Sequence, residues 1–243
     1  MKKIILLLFV SISMCIFGEK PFRNGEKAIY NAYWSGIKVG IVTLEVAEVE
    51  DKYQFTMTMN TTSLAEKFYS ASQVLTSLTD KDLKQSFAYN QDGTEKGKKR
   101  QRNVEFDWEN RKVRYIKNGK VDRELNAEDG MLDPLSVFYY FRMQDLHLGS
   151  EFVCKVTDGK NIITGNATVD KEEKINVKGI GRVNTYIINP NIKGLGGIFG
   201  NSDDAKIEVW LSQGKSKLPV KIKSKVKVGS FTIRLTEVIN AEI

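Results

Sequence analysis

The side chains able to do chemistry are few and widely spaced. The chain has one histidine, His147, between Leu146 and Leu148. A general base or a zinc ligand needs partners of its own kind or an orienting acid. No second histidine and no cysteine cluster accompanies it, so His147 is expected to be a structural or surface residue. Cys154 stands in an apolar run with Phe152, Val153 and Val156. A reactive thiol requires a basic, exposed setting, so an inert, buried thiol is expected. Asp203-Asp204 lacks the ligand spacing of a calcium loop. The glycine-rich run 193–200 could cradle a phosphate only if it followed a strand and opened a helix. The next pattern is a strand, so the run is expected to be an apolar loop at the rim of a sheet. There is no Gly-x-Ser-x-Gly elbow, Walker loop or His-Glu-x-x-His. The expectation is a protein with no catalytic residues, no metal and no cofactor.

The first eighteen residues are expected to be a signal peptide. Lys2 and Lys3 precede the apolar run 4–17, which is too short to span a bilayer, and Gly18 is a small residue suited to cleavage. Cys15 offers a minor alternative, a lipid-modified N-terminus, but Ile12-Ser13-Met14 is a poor box for that modification. The formal net charge of the 243-residue chain is +7, and loss of residues 1–18, with two lysines and no acid, leaves +5. The predicted location is periplasmic or otherwise exported. Lys96, Lys98, Lys99, Arg100 and Arg102 resemble a nucleic-acid patch. Export removes that partner, so no nucleic acid is expected, and the cluster reads as a solvated turn and the start of a strand.

The elements behind these residues are overwhelmingly strands. Apolar and polar residues alternate with a period of two over 26–34, 39–48 and 53–60, and turn residues separate further runs at 73–79, 85–90, 98–108, 113–116 and 121–125. Asp92-Gly93 reads as a turn and Asn118-Gly119 as a two-residue hairpin loop. Strands follow at 151–157, 162–169, 174–178 and 182–189, the last ending before Pro190. Three more end the chain, at 206–211, from Lys217 onward and at 231–235. A short helix is predicted over 62–70. A clearer one begins at Asp133 as N-cap with Pro134 in the first helical position. Its wide apolar side, including Leu135, Phe138, Tyr139 and Phe141, predicts burial against the sheet.

The ordered pieces TDGK, GR, GGIFG, VWLS and LPVKIKSKVKVGSF, with GEKAIYNAYWSGIKVGIVTLEV and DPLSVFYYFR before them, resemble the bacterial exported domain-of-unknown-function family 3108. The resemblance covers roughly Phe22 to Leu235. One departure is Gln213, where the turn of that family would carry an acid. The resemblance implies an exported, mainly antiparallel β protein and transfers no catalytic residue.

The expected fold is mainly β: a large curved antiparallel sheet, a half-barrel or barrel-like meander, with one short central helix. It forms a single domain over 19–243, possible as two β-rich halves meeting near 126–150. Two sites are conceivable. Tyr53, Phe55, Met57 and Met59 give one strand a soft apolar face, and Phe138 and Phe141 of the helix could cover it. That face either fills the core or holds a lipid or other apolar ligand. Lys221, Lys223, Lys225 and Lys227 share the other face of a late strand. They either keep an edge soluble or meet an anionic membrane. An assembly role through the outer surface is the alternative function. N-terminal sequencing of the processed protein is expected to begin at Glu19; a lipid-modified Cys15 would overturn that cleavage site.

Overall fold

A computed structural model describes residues 19–66, 70–191, 206–225 and 229–243. The chain first runs back and forth through β1 (Lys27–Trp34), β2 (Ile37–Val49), β3 (Lys52–Thr61), β4 (Ala71–Asp80), β5 (Ser86–Glu95), β6 (Lys98–Asp107), β7 (Lys112–Lys117) and β8 (Lys120–Asn126). One helical turn, α1 (Ser63–Glu66), separates β3 from β4. The chain then passes through β9 (Met131–Leu132) and the helix α2 (Ser136–Met143). It returns through β10 (Glu151–Thr157), β11 (Ile162–Val177), β12 (Gly181–Asn191), β13 (Lys206–Ser212), β14 (Pro219–Lys225) and β15 (Ser230–Ile239).

All fifteen strands belong to one open, curved sheet. Each of β1 to β8 pairs antiparallel with its neighbour in sequence, and so does each of β10 to β15. The first and last strands, β1 and β15, then pair with each other, from Lys27 opposite Ile239 to Trp34 opposite Phe231. The two β-rich runs on either side of the helix are therefore wings of a continuous surface. A twisted sheet of this size has to curl. Register shifts in the pairs β1–β15, β1–β2, β4–β5, β7–β8, β11–β12 and β13–β14 mark where it bends. The expected large curved antiparallel sheet with one central helix is the fold observed.

Three boundaries differ from the expectation. Asp92-Gly93 lies inside β5, and Lys96-Gly97 makes the turn with φ of 50° and 73°. Gly93 is there because a Cβ would come within 2.2 Å of the Ser72 carbonyl oxygen, so it serves close strand approach. The runs 162–169 and 174–178 form one sixteen-residue strand, β11. A bulge between Val169 and Lys171 breaks its alternation and made it read as two. Pro190 stays within β12, opposite Ala167 and beyond the stretch Thr185–Ile188 that pairs with β13, a position where a missing N–H is tolerated. The Asn118-Gly119 hairpin is as expected, with φ of 52° and 76°. Of the predicted 62–70 helix, residues 67–69 lie outside the described residues.

The helix α2 lies in the concavity of the sheet and is fixed at both ends by buried charge. At its start, Asp133 Oδ1 accepts the amides of Leu135 (2.8 Å) and Ser136 (3.0 Å). Its Oδ2 accepts the hydroxyls of Ser77 on β4 and Ser86 on β5. Asp133 thus caps first-turn amides as expected, although the regular helix begins two residues after Pro134, at Ser136 with Leu135 before it. Asp133 also ties the helix to two strands. At the other end Arg142 and Glu26 are each 2% exposed. Arg142 Nη1 and Nη2 donate to Glu26 Oε1 (2.6 Å) and Oε2 (2.8 Å). Nε donates to the Ser216 carbonyl (2.8 Å), and Nη2 also to that of Pro21 (2.9 Å). The rings of Phe22 and Tyr139 lie 5.2 Å and 5.4 Å from the guanidinium carbon. Tyr139 in turn stacks on Phe55 at 3.7 Å.

Two predictions come from these anchors. Arg142→Met leaves Glu26 as a buried, unpaired charge and should cost about 3–5 kcal/mol in urea unfolding. Adding Glu26→Leu removes the orphan, so the double variant should regain most of that loss. A double variant no more stable than the single one would mean that the bonds to Pro21 and Ser216, not the charge pairing, hold this corner. The second concerns pH. Burial pushes the Asp133 carboxyl above its ordinary range, although hydroxyl and amide donors pull it down. Its proton is held more tightly folded than unfolded. That contribution is full below the unfolded value of about 3.9 and is lost as pH rises through the raised folded value. The stability of wild type relative to Asp133→Asn should therefore fall as pH rises from about 4 toward neutrality. A difference independent of pH overturns this.

Candidate functional site

Among the described residues, the expected ligand residues meet on the concave face, where the helix packs. Along β3, Tyr53 and Phe55 are buried beneath the helix. Phe22 packs edge-on against Tyr53, Phe55 and Tyr139 at 5.1, 5.6 and 5.5 Å. Phe141 is buried among Leu132, Val137, Leu146 and Val156. These three expected ligand residues, Tyr53, Phe55 and Phe141, are core. Met57, Met59 and Phe138 are only partly buried.

The partly buried residues have a particular place. Met57 and Met59 pack against two core clusters at once, one around Tyr30, Val42 and Leu235 and one around Phe55 and Tyr139. Phe138 and Tyr140 join the second of these to a third cluster, around Val156, Val209 and Ile222. Ile233 joins the first and third. The three cores thus converge on apolar side chains that none of them covers completely. At the neighbouring end of the sheet, Trp34 stacks on Phe231 with ring centroids 6.4 Å apart, and Ile37 stands opposite Trp34. Trp34 is 44% and Ile37 70% exposed. Register places these three on the same face as Ala32 and Ile233.

Tyr140, Ile233, Trp34 and Phe231 were not singled out from the sequence. Their alternation was legible, but which strands stand beside β3 and the helix was not. The pairing of β1 with β15 joins residues some two hundred positions apart, and no local pattern announces it.

The lysine row lies on the convex face and is not uniform. Lys221 Nζ sits 3.7 Å from the Trp210 ring centroid, and Trp210 Nε1 donates to Glu173 Oε2 at 2.7 Å. Burial pushes the Lys221 ammonium below its ordinary pKa, against the pull of Glu173. Lys223 faces Glu208 on β13, while Lys223 and Lys225 are exposed. Lys227 lies outside the described residues, as do Asp203-Asp204 and the glycine-rich run 193–200. In the other basic cluster, Arg100 pairs with Glu95 at 3.3 Å and Lys98 and Lys99 are exposed.

The reactive residues stay apart. His147 is exposed, and its amide donates to Ser150 Oγ at 3.0 Å. Burial pushes the Cys154 thiol up to about 11, which leaves it protonated and unreactive at neutral pH. Among the described residues no three His, Cys, Asp or Glu side chains form a group that could hold a metal. No helix among them is long and apolar enough to cross a membrane.

A family model described as "Protein of unknown function (DUF3108)" matches residues 29–236. No curated protein matches. Among solved structures, a beta-barrel-like protein of the domain of unknown function DUF1849 from Brucella abortus is 11% identical. It superposes with a TM-score of 0.57 over 90% of this chain and 98% of that one. The hypothetical protein CT021 from Chlamydia trachomatis is 10% identical, with a TM-score of 0.39 over 91% of this chain and 90% of that one. The first of these likenesses is one of fold.

Proposed function

The chain belongs to the DUF3108 family of proteins of unknown function, and from that premise we propose that it is a non-enzymatic, exported cell-envelope protein that holds an apolar or amphipathic ligand in its concavity. The observation that carries this is the junction of the three core clusters at Met57, Met59, Phe138, Tyr140 and Ile233, which packing leaves partly open. Covering apolar surface gains about 25 cal/mol per Å². A fold that anchors its helix at both ends, yet leaves these side chains incompletely covered, has an unrealised hydrophobic gain there. Methionine suits such a surface because its unbranched, polarisable chain adapts to shapes that vary. Trp34, Phe231 and Ile37 extend the apolar face to the rim, where a ligand would enter.

Export rests on the leader-like residues 1–18. The exposed Lys223 and Lys225 suit a peripheral approach to an anionic membrane, with about 1 kcal/mol per lysine near the surface. Lys221 adds little to that approach, since it is engaged with Trp210.

The test uses N-phenyl-1-naphthylamine, an uncharged apolar fluorophore. Folded wild-type protein should enhance its fluorescence saturably. Met59→Lys should weaken that binding about tenfold, equivalent to 1.4 kcal/mol, in a protein that keeps a cooperative melting transition. Absence of saturable enhancement by the folded protein overturns the reading.

A further inference from the structure

The ladder of the sheet contains a gradient that crosses the concave face. Leu44 stands opposite Met57, Met57 opposite Leu75, Leu75 opposite Gln91, Gln91 opposite Arg102, Arg102 opposite Lys117 and Lys117 opposite Lys120. One register line thus runs from β2 to β8 and turns from apolar to amide to cationic. The face is settled by the neighbours two residues along each strand. Arg102 shares its side of β6 with the buried Val104 and Phe106. Lys117 shares its side of β7 with the buried Val113 and Tyr115.

The cationic end of this line is unusual in three ways. Residues 96–126 hold eleven lysines and arginines against five acids, a net +6 of the chain's +7. Like charges directly opposite one another destabilise a sheet, yet Arg102, Lys117 and Lys120 occupy three consecutive strands in register. None of the three makes an ion pair among the described residues, although fourteen such pairs exist elsewhere. The acids that face this corner are Asp158 and Asp122, whose charges act on Tyr115 against those of Arg102 and Lys117. Asp158 is committed to its own turn, where Oδ1 accepts the amides of Lys160 and Asn161 at 3.0 and 3.1 Å. Lys160 brings a further cation over the Tyr115 ring, at 5.1 Å.

We propose that the ligand of the concave face is an anionic amphiphile, its apolar chain against the partly buried Met57 and Met59 and its carboxylate or phosphate between Arg102 and Lys117. This rests on the binding function proposed above and specifies the charge of the ligand. Three strand spacings of about 4.8 Å separate Met57 from Arg102, so the line measures about 14 Å along the sheet. Gln73 and Gln91, joined by a 3.2 Å hydrogen bond between their amides, lie between the two ends. The arginine supplies a planar fork for two anion oxygens, and the lysine a point charge beside it.

The experiment compares oleate with oleyl alcohol, which has the same chain and no charge, by displacement of N-phenyl-1-naphthylamine and by calorimetry below the aggregation threshold. The proteins are wild type and Arg102→Gln/Lys117→Gln, both checked for an intact melting transition. Wild type should prefer oleate. The double variant should lose about tenfold or more in oleate affinity and keep its affinity for the alcohol within about twofold. Each single variant should show part of that loss, which guards against a folding defect in the double. If both compounds bind and the variant changes neither, or both equally, the anionic head is wrong and the apolar site stands. If neither compound binds wild type, the binding function itself falls, and this inference with it.

Discussion

The ion pair of Arg142 and Glu26 is the constraint that organises this molecule. Each charge would be costly alone in an interior of low polarity, and neither is alone. The guanidinium uses both forks on the carboxylate and its remaining reach on the carbonyls of Pro21 and Ser216. Three segments distant in sequence therefore meet at one planar group: the segment before β1, which supplies both Pro21 and Glu26, the turn before β14 and the end of the helix. Moving the helix by one turn would strand the charge. Asp133 imposes the same condition at the other end, through Ser77 and Ser86. The helix carries an anion at its amino end and a cation in its last turn, the arrangement that complements its dipole. Such an element has one position along the sheet.

That fixed position explains why the concavity is filled unevenly. A sheet of fifteen strands encloses more width than eight helical residues can cover. Tyr139, Phe55, Tyr53 and Phe22 close the part of the concavity beside Arg142, with rings in stacked and edge-on contact. Met57, Met59 and Ile233, which pack against the same cores, are only partly buried.

The alternation of side chains showed most of the strands, and Asp133-Pro134 showed the start of the helix, because both signals are local. The failures share one cause. Arg142 reads in the sequence as the i+7 member of an apolar stripe; its burial depends on Glu26, more than a hundred residues earlier. Gly93 looks like a turn because its purpose, close approach to Ser72, lies on the neighbouring strand. The β11 bulge looks like a strand end for the same reason. At the candidate site, the face of β3 was legible, but Tyr53 and Phe55 turned out to be core. The cross-strand line from Met57 to Lys117 requires the registers of four successive pairings. Each is set by hairpin geometry and bulges rather than by the residues that end up side by side.

The basic residues of the chain illustrate how little a cation's identity says before its surroundings are known. Arg142 is fully paired and buried, and its charge serves the fold. Lys221 rests on the face of Trp210, where cation–π attraction and the nearby Glu173 offset its partial burial. Arg100 is paired with Glu95 at the rim. Among the described residues Arg102, Lys117 and Lys120 make no ion pair, although they stand directly across from one another. Surface lysines at random positions can turn away from each other into water at little cost. Arg102 is half-buried beside Val104, while Lys117 and Lys120 are exposed toward the edge of the sheet. The repulsion among these three cations is relieved most effectively by an anion that enters from outside, and the apolar end of the same line specifies what that anion is attached to.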